Sequence, residues 1–151
     1  EERAEWSRIV GPLSSTRYQR GGAIEVYLMQ VGVAIEALGY KVAERNGTLN
    51  SRGQLSFPQY LRRIHDSLDC SIATVLSGDV DNNVKAFTNF DEWADAFNNL
   101  YKGAKHADQQ PPDPVRAWVI ASSGALLVRL WLAREFGVPR DRLEQSAEYA
   151  R

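Results

Sequence analysis

The sequence predicts an all-α fold, an antiparallel bundle of four principal helices with short additional helices. Apolar residues recur at helical spacing over long stretches, and strand signals are absent. Glycine and proline clusters cut the chain into blocks of helix length. Helices of this length joined by short connections pack antiparallel to their neighbours.

The first block runs from Glu2 to about Ile9 and is expected to stop before Gly11-Pro12. The second spans Gly22 to Arg45, where Asn46-Gly47 supplies a left-handed stop. A polar connection, NGTLNSRGQLS, leads to Ser56-Phe57-Pro58, an N-cap followed by a proline in the first turn. The helix it opens carries Tyr60, Leu61, Ile64 and Leu68, then Ile72, Val75 and Leu76, and is expected to stop near Ser77-Gly78-Asp79. After a second polar connection over 79 to 89, Asn89 or Thr88 can cap FDEWADAFNNLYKGAKH. That segment has acids in its first turn and bases in its last, as the helix dipole prefers. The prolines of ADQQPPD break the chain, Asp113-Pro114 reopens a helix to Phe136 closed by Gly137, and Pro139 to Arg151 forms a last amphipathic helix.

Composition narrows the function classes. With 151 residues, 44% hydrophobic and 25% charged, the chain suits one domain over residues 1 to 151 with a substantial core. The net charge of -1 exerts no global pull on nucleic acid, so an RNA partner would need a local patch. Cys70 is the single cysteine, which excludes an internal disulfide and suits a reducing cytosol. One cysteine and 2 histidines without tight spacing point to no metal site, and no glycine-rich phosphate loop points to no nucleotide cofactor. No uninterrupted apolar run reaches membrane-spanning length, since Arg116, Arg129 and Arg134 interrupt the stretch from Val115 to Val138, and no membrane partner is expected. An opening of Glu1-Glu2-Arg3 without methionine suggests a piece of a longer chain.

Two helices carry more apolar surface than a single bundle side needs. In the second, Ile24, Leu28, Val31, Ile35, Leu38 and Val42 share one face, while Val26, Met29, Val33 and Tyr40 cluster roughly opposite. The helix from Val115 to Phe136 is apolar almost all round, and Trp93, Trp118 and Trp131 fall in core stripes. The surplus predicts a homodimer or docking to other domains of a longer chain.

The candidate chemistry gathers where LYKGAKH meets the proline break. A core stripe through Trp93, Ala94, Phe97, Leu100, Tyr101 and Ala104 leaves His106 on the other side, with Asn99 and Lys102; if Gly103 ends the helix, His106 sits in the loop beyond it. Either way it is accessible and close to Lys102 and Lys105. A neutral imidazole can take a proton from a ribose 2′-hydroxyl, and a lysine can stabilise the phosphate that follows. The same bases also suit a helix C-terminus on dipole grounds alone. Arg129 in the apolar helix requires an anion, for which Glu36 is the candidate structural ion pair with Glu25 as the other choice, or else it approaches His106 as a substrate-binding cation. Arg62 and Arg63, near a second histidine at His65, flank a core stripe through Leu61, Ile64 and Leu68 and read as a solvated face, or else as an extension of an RNA-binding patch.

The segments AIEALGY, LYKGAKHAD and ALLVRLWLAREFGV, in that order across most of residues 20 to 145, resemble HEPN domains of the Apea-like kind. The resemblance implies a helical bundle that dimerises and, in many members, a metal-independent endoribonuclease of antiviral defence, abortive-infection or toxin–antitoxin systems. Its signature is an arginine, a polar residue after it and a histidine a few positions on. His106 matches the histidine, while Tyr101 stands at a usual arginine position and Lys102 at the polar one. No arginine lies between Phe87 and His106, and lysine lacks the planar fork that suits phosphate. The implied site is therefore His106, Lys102 and Tyr101 as catalytic residues, with Lys105, Arg129 and Asn99 holding RNA. The alternative is an inactive dimerisation or protein-interaction module of a larger protein.

Overall fold

A computed structural model describes residues 2 to 15, 23 to 68, 87, 89 to 106 and 113 to 149. Six helices occupy them: α1 (Glu2–Ser15), α2 (Ile24–Arg45), α3 (Phe57–Ser67), α4 (Phe90–Lys105), α5 (Pro114–Glu135) and α6 (Arg140–Tyr149). The chain is all-α, and no strand occurs among the described residues. The expected continuation of α3 through Ile72, Val75 and Leu76 lies outside the described residues, as does Cys70.

The central helix is α2, which packs against α1, α3, α4 and α5, while α6 lies on α5. Its predicted inner face is the buried one: Leu28, Val31, Ile35 and Leu38 are all fully enclosed. Three glycines let aromatic rings approach a helix backbone. A Cβ at Gly32 would overlap the Tyr101 ring, one at Gly39 would overlap Tyr60, and one at Gly124 of α5 would overlap Phe97. These notches bring α4 and α3 close to α2, and α4 close to α5.

The helix ends follow their local chemistry. Both Gly47 (φ 62°) and Gly137 (φ 82°) take the left-handed conformation. Each closes its helix with paired bonds: Gly47 N–H to Glu44 O and Thr48 N–H to Ala43 O after α2, Gly137 N–H to Arg134 O and Val138 N–H to Ala133 O after α5. At the start of α3, Gln59 Oε1 accepts from the Ser56 backbone N–H at 2.8 Å and from its hydroxyl at 3.0 Å.

One helix boundary departs from expectation. Helix α1 continues through Gly11-Pro12 to Ser15. A mid-helix proline costs about 3 kcal/mol, whereas burying Ile9 and Leu13, one turn apart on the side facing α2, contributes about 1.5–3 kcal/mol each. Packing outweighs the break.

Helices α2 and α5, at 22 residues each, are long and apolar enough to cross a bilayer by length and composition. In the fold, 50% and 56% of those apolar windows are covered by neighbouring helices, as for core helices.

Candidate functional site

The carboxyl end of α4 is placed by its core face and its amino-terminal cap. Asn89 Oδ1 accepts from Glu92 N–H at 2.9 Å, fixing where the helix starts. Trp93, Phe97 and Tyr101 are buried on one side, fixing its rotation. The last turn then carries Lys102 and Lys105, and His106 is the C-cap, extended at φ -118° and ψ 112°, its N–H donating to Lys102 O at 3.1 Å. Gly103 lies within the helix and does not end it.

The sequence-predicted residues separate into two sets. His106, Lys102 and Asn99 are exposed, and none of them makes an ion pair among the described residues. Tyr101 and Lys105 instead turn to Glu36 of α2. The Tyr101 hydroxyl donates to Glu36 Oε2 at 3.2 Å, Lys105 Nζ donates to Glu36 Oε1 at 3.2 Å, and the ammonium lies 3.8 Å from the Tyr101 ring centroid. Burial, then the Glu36 charge and the hydrogen bond to it, hold the Tyr101 phenol above the usual tyrosine range. With the side chains 34% and 40% exposed, the Lys105–Glu36 pair contributes on the order of 1 kcal/mol or less, so it orients more than it stabilises.

Three expectations are corrected. Arg129 is exposed and makes no ion pair among the described residues, so the predicted Glu36–Arg129 pair does not form; Glu36 pairs with Lys105. An arginine on the outer arc of an apolar helix reaches water and needs no buried anion. Tyr101 is only 2% exposed with its hydroxyl committed to Glu36, so it positions the end of α4 rather than facing a substrate. Trp118, expected in the core, is 59% exposed, next to Val115 at 60%.

Two open clefts border the bundle among the described residues. One, of about 580 Å³, lies beside Arg45, Asp66, Ser67, Trp131 and Glu135, where an Arg45–Glu135 pair at 2.6 Å and a Trp131 Nε1–H bond to Ser67 Oγ at 2.8 Å already engage its polar groups. The other is a groove of about 920 Å³ between α1, α2 and the 46–56 connection. Its lining includes Arg8, Val33, Glu36, Tyr40, Arg52 and Tyr60. Glu36 is therefore shared: it lines the groove on one side and holds Lys105, the neighbour of His106, on the other.

The connection beside this groove is built rather than loose. Asn50 Oδ1 accepts from Arg52 N–H and Gln54 N–H at 2.9 Å each, its carbonyl accepts from Gly53 N–H at 2.9 Å, and Tyr60 Oη accepts from Leu55 N–H at 3.2 Å. Neither Arg8 nor Arg52 pairs with a carboxylate among the described residues.

No protein-family model, curated protein or solved structure matches the chain. Sequence reasoning missed the groove and the Glu36–Lys105 clasp. The Asn-x-Arg-Gly turn around Asn50 is the one local signal that could have marked the connection as ordered.

Proposed function

We propose that the chain is a HEPN-like domain that acts on RNA as a metal-independent endoribonuclease in a prokaryotic defence or toxin-type setting. The observation that supports this reading is that His106, the C-cap of α4, and Lys102, in its last turn, are both exposed at the same helix end, where the His106 N–H donates to Lys102 O. The imidazole takes the proton of a ribose 2′-hydroxyl, and the freed oxygen attacks the adjacent phosphorus. The bond from phosphorus to the 5′-oxygen of the next nucleotide breaks to leave a 2′,3′-cyclic phosphate, the departing oxygen takes a proton from water, and Lys102 meets the charge that develops on the phosphate oxygens. Lys105, the neighbour of His106, is engaged by Glu36 and is not a free phosphate ligand.

Cleavage of a mixed RNA substrate including tRNA, with EDTA present to silence contaminating metal nucleases, tests it. Wild type cuts, and His106→Ala lowers the rate by roughly a hundredfold or more while keeping its helical circular dichroism. No cutting by a folded wild type at high concentration would end the ribonuclease reading.

A second reading, an interaction module, is favoured by one separate observation. Val115 and Trp118 lie three residues apart at the start of α5 and are 60% and 59% exposed. Such a pair suits contact with a second copy or another domain of a longer chain.

A further inference from the structure

We propose that the groove between α1, α2 and the 46–56 connection seats single-stranded RNA, with a base stacked on Tyr40 and flanking phosphates held by Arg8 and Arg52. The inference rests on the RNA reading above and names where that RNA lies.

Tyr40 is 39% exposed, and its hydroxyl already donates to Glu44 Oε1 at 3.2 Å, so what it offers a ligand is its ring. The Glu44 charge, with that hydrogen bond, raises the Tyr40 pKa above the ordinary tyrosine value. Val33, 40% exposed one turn-pair earlier on α2, extends the apolar floor. A floor of this kind takes the faces of bases without reading their edges.

The rim supplies the charge. Arg8 and Arg52 line the groove from opposite chain segments, both exposed and both without a carboxylate partner among the described residues. Guanidinium groups match phosphate with two parallel hydrogen bonds. Arg52 stands on the turn that Asn50 ties down, so its backbone is ordered before a ligand arrives. The carboxylate among these lining groups, Glu36, is paired with Lys105 and hydrogen-bonded by Tyr101, which lessens the repulsion a phosphate would meet.

Size and direction agree with a strand. At about 920 Å³ the groove lies within the range of small-ligand sites and admits nucleotide units. A duplex would hide the base faces that Tyr40 needs, so the ligand is unpaired. A strand leaving past Glu36 meets the Lys105 side chain and then the backbone of His106, which links the groove to the proposed catalytic end of α4.

Fluorescence anisotropy of a labelled single-stranded RNA of about ten nucleotides, titrated with the full chain at several salt concentrations, tests the assignment. Tyr40→Ala is expected to weaken binding about tenfold and Tyr40→Phe to match wild type, because the ring alone matters. The double variant Arg8→Ala/Arg52→Ala is expected to reduce the log–log salt slope by about 1.4, two contacts at about 0.7 each. Arg116→Ala, at the start of α5, is the control and binds like wild type. All of these side chains are exposed or lie at the edge of the fold, and circular dichroism checks that each variant is folded. Wild-type binding that is unaffected in every groove variant overturns the groove and leaves the RNA reading standing. Loss in the arginine variant without loss in Tyr40→Ala overturns the stacking assignment, as does equal binding of the same strand when duplexed. Absence of any RNA binding by wild type overturns the RNA reading itself, and the groove assignment with it.

Discussion

Tyr101 illustrates how a single hydroxyl couples two helices. Replacing it with phenylalanine keeps the ring in the Gly32 notch but removes the bond to Glu36, and should lower unfolding free energy by about 1 kcal/mol in urea titrations. The pH dependence follows from the direction of its shift. The folded state binds the phenolic proton more tightly than the unfolded chain, whose tyrosines titrate near 10. This contribution is complete below that pH and is lost as pH rises through the higher folded value. Wild-type stability should therefore drop steeply above about pH 10, and the Tyr101→Phe variant should show a shallower alkaline limb. At this scale the sequence was legible where a helical period decided the answer: Trp93, Phe97 and Tyr101 are buried as their spacing implied. It was not legible for Arg129, because an all-round apolar helix does not say which arc meets water, nor for Glu36, whose partner comes from a residue 69 positions away.

The elements owe their limits to short-range chemistry, and most of that was readable. Asn89 caps α4, and Asn89→Ala should cost about 1 kcal/mol by thermal or chemical denaturation, with the loss confined to stability. The Asn46-Gly47 and Gly137 stops fall where residue type placed them, since a left-handed turn after a helix strongly favours glycine. Pro12 failed as a punctuation mark because a break is a local cost that burial of Ile9 and Leu13 can exceed. The notches at Gly32, Gly39 and Gly124 lacked any local signal. A helical glycine is weakly informative until the ring that fills its place is known, and those rings come from other helices.

Across the whole molecule, the helical class was set by periodicity and punctuation alone, while the lateral pairing of helices was not, since it depends on which faces meet. The second face of α2 shows the difference. Val26, Val33 and Tyr40 remain about 40% exposed, as a surplus apolar stripe predicts, yet Met29 from the same cluster packs against the core. The exposed Val115 and Trp118 give the molecule-scale expectation. Sedimentation velocity should detect concentration-dependent association of the wild-type chain, and Val115→Asp with Trp118→Asp should return it to monomer without loss of helical signal. A wild type that stays monomeric at high concentration would leave that surface to a different partner.

The glycine notches restrict the order in which this sequence can drift. At Gly32 any larger residue must arrive after Tyr101 has been exchanged for something smaller, because the reverse order passes through an overpacked intermediate costing about 1–3 kcal/mol. The same one-way sequence holds for Gly39 with Tyr60 and for Gly124 with Phe97. Gly32→Ala alone should be poorly tolerated, whereas Gly32→Ala in a Tyr101→Leu background should recover much of the loss, a history written as paired changes rather than as single invariant sites.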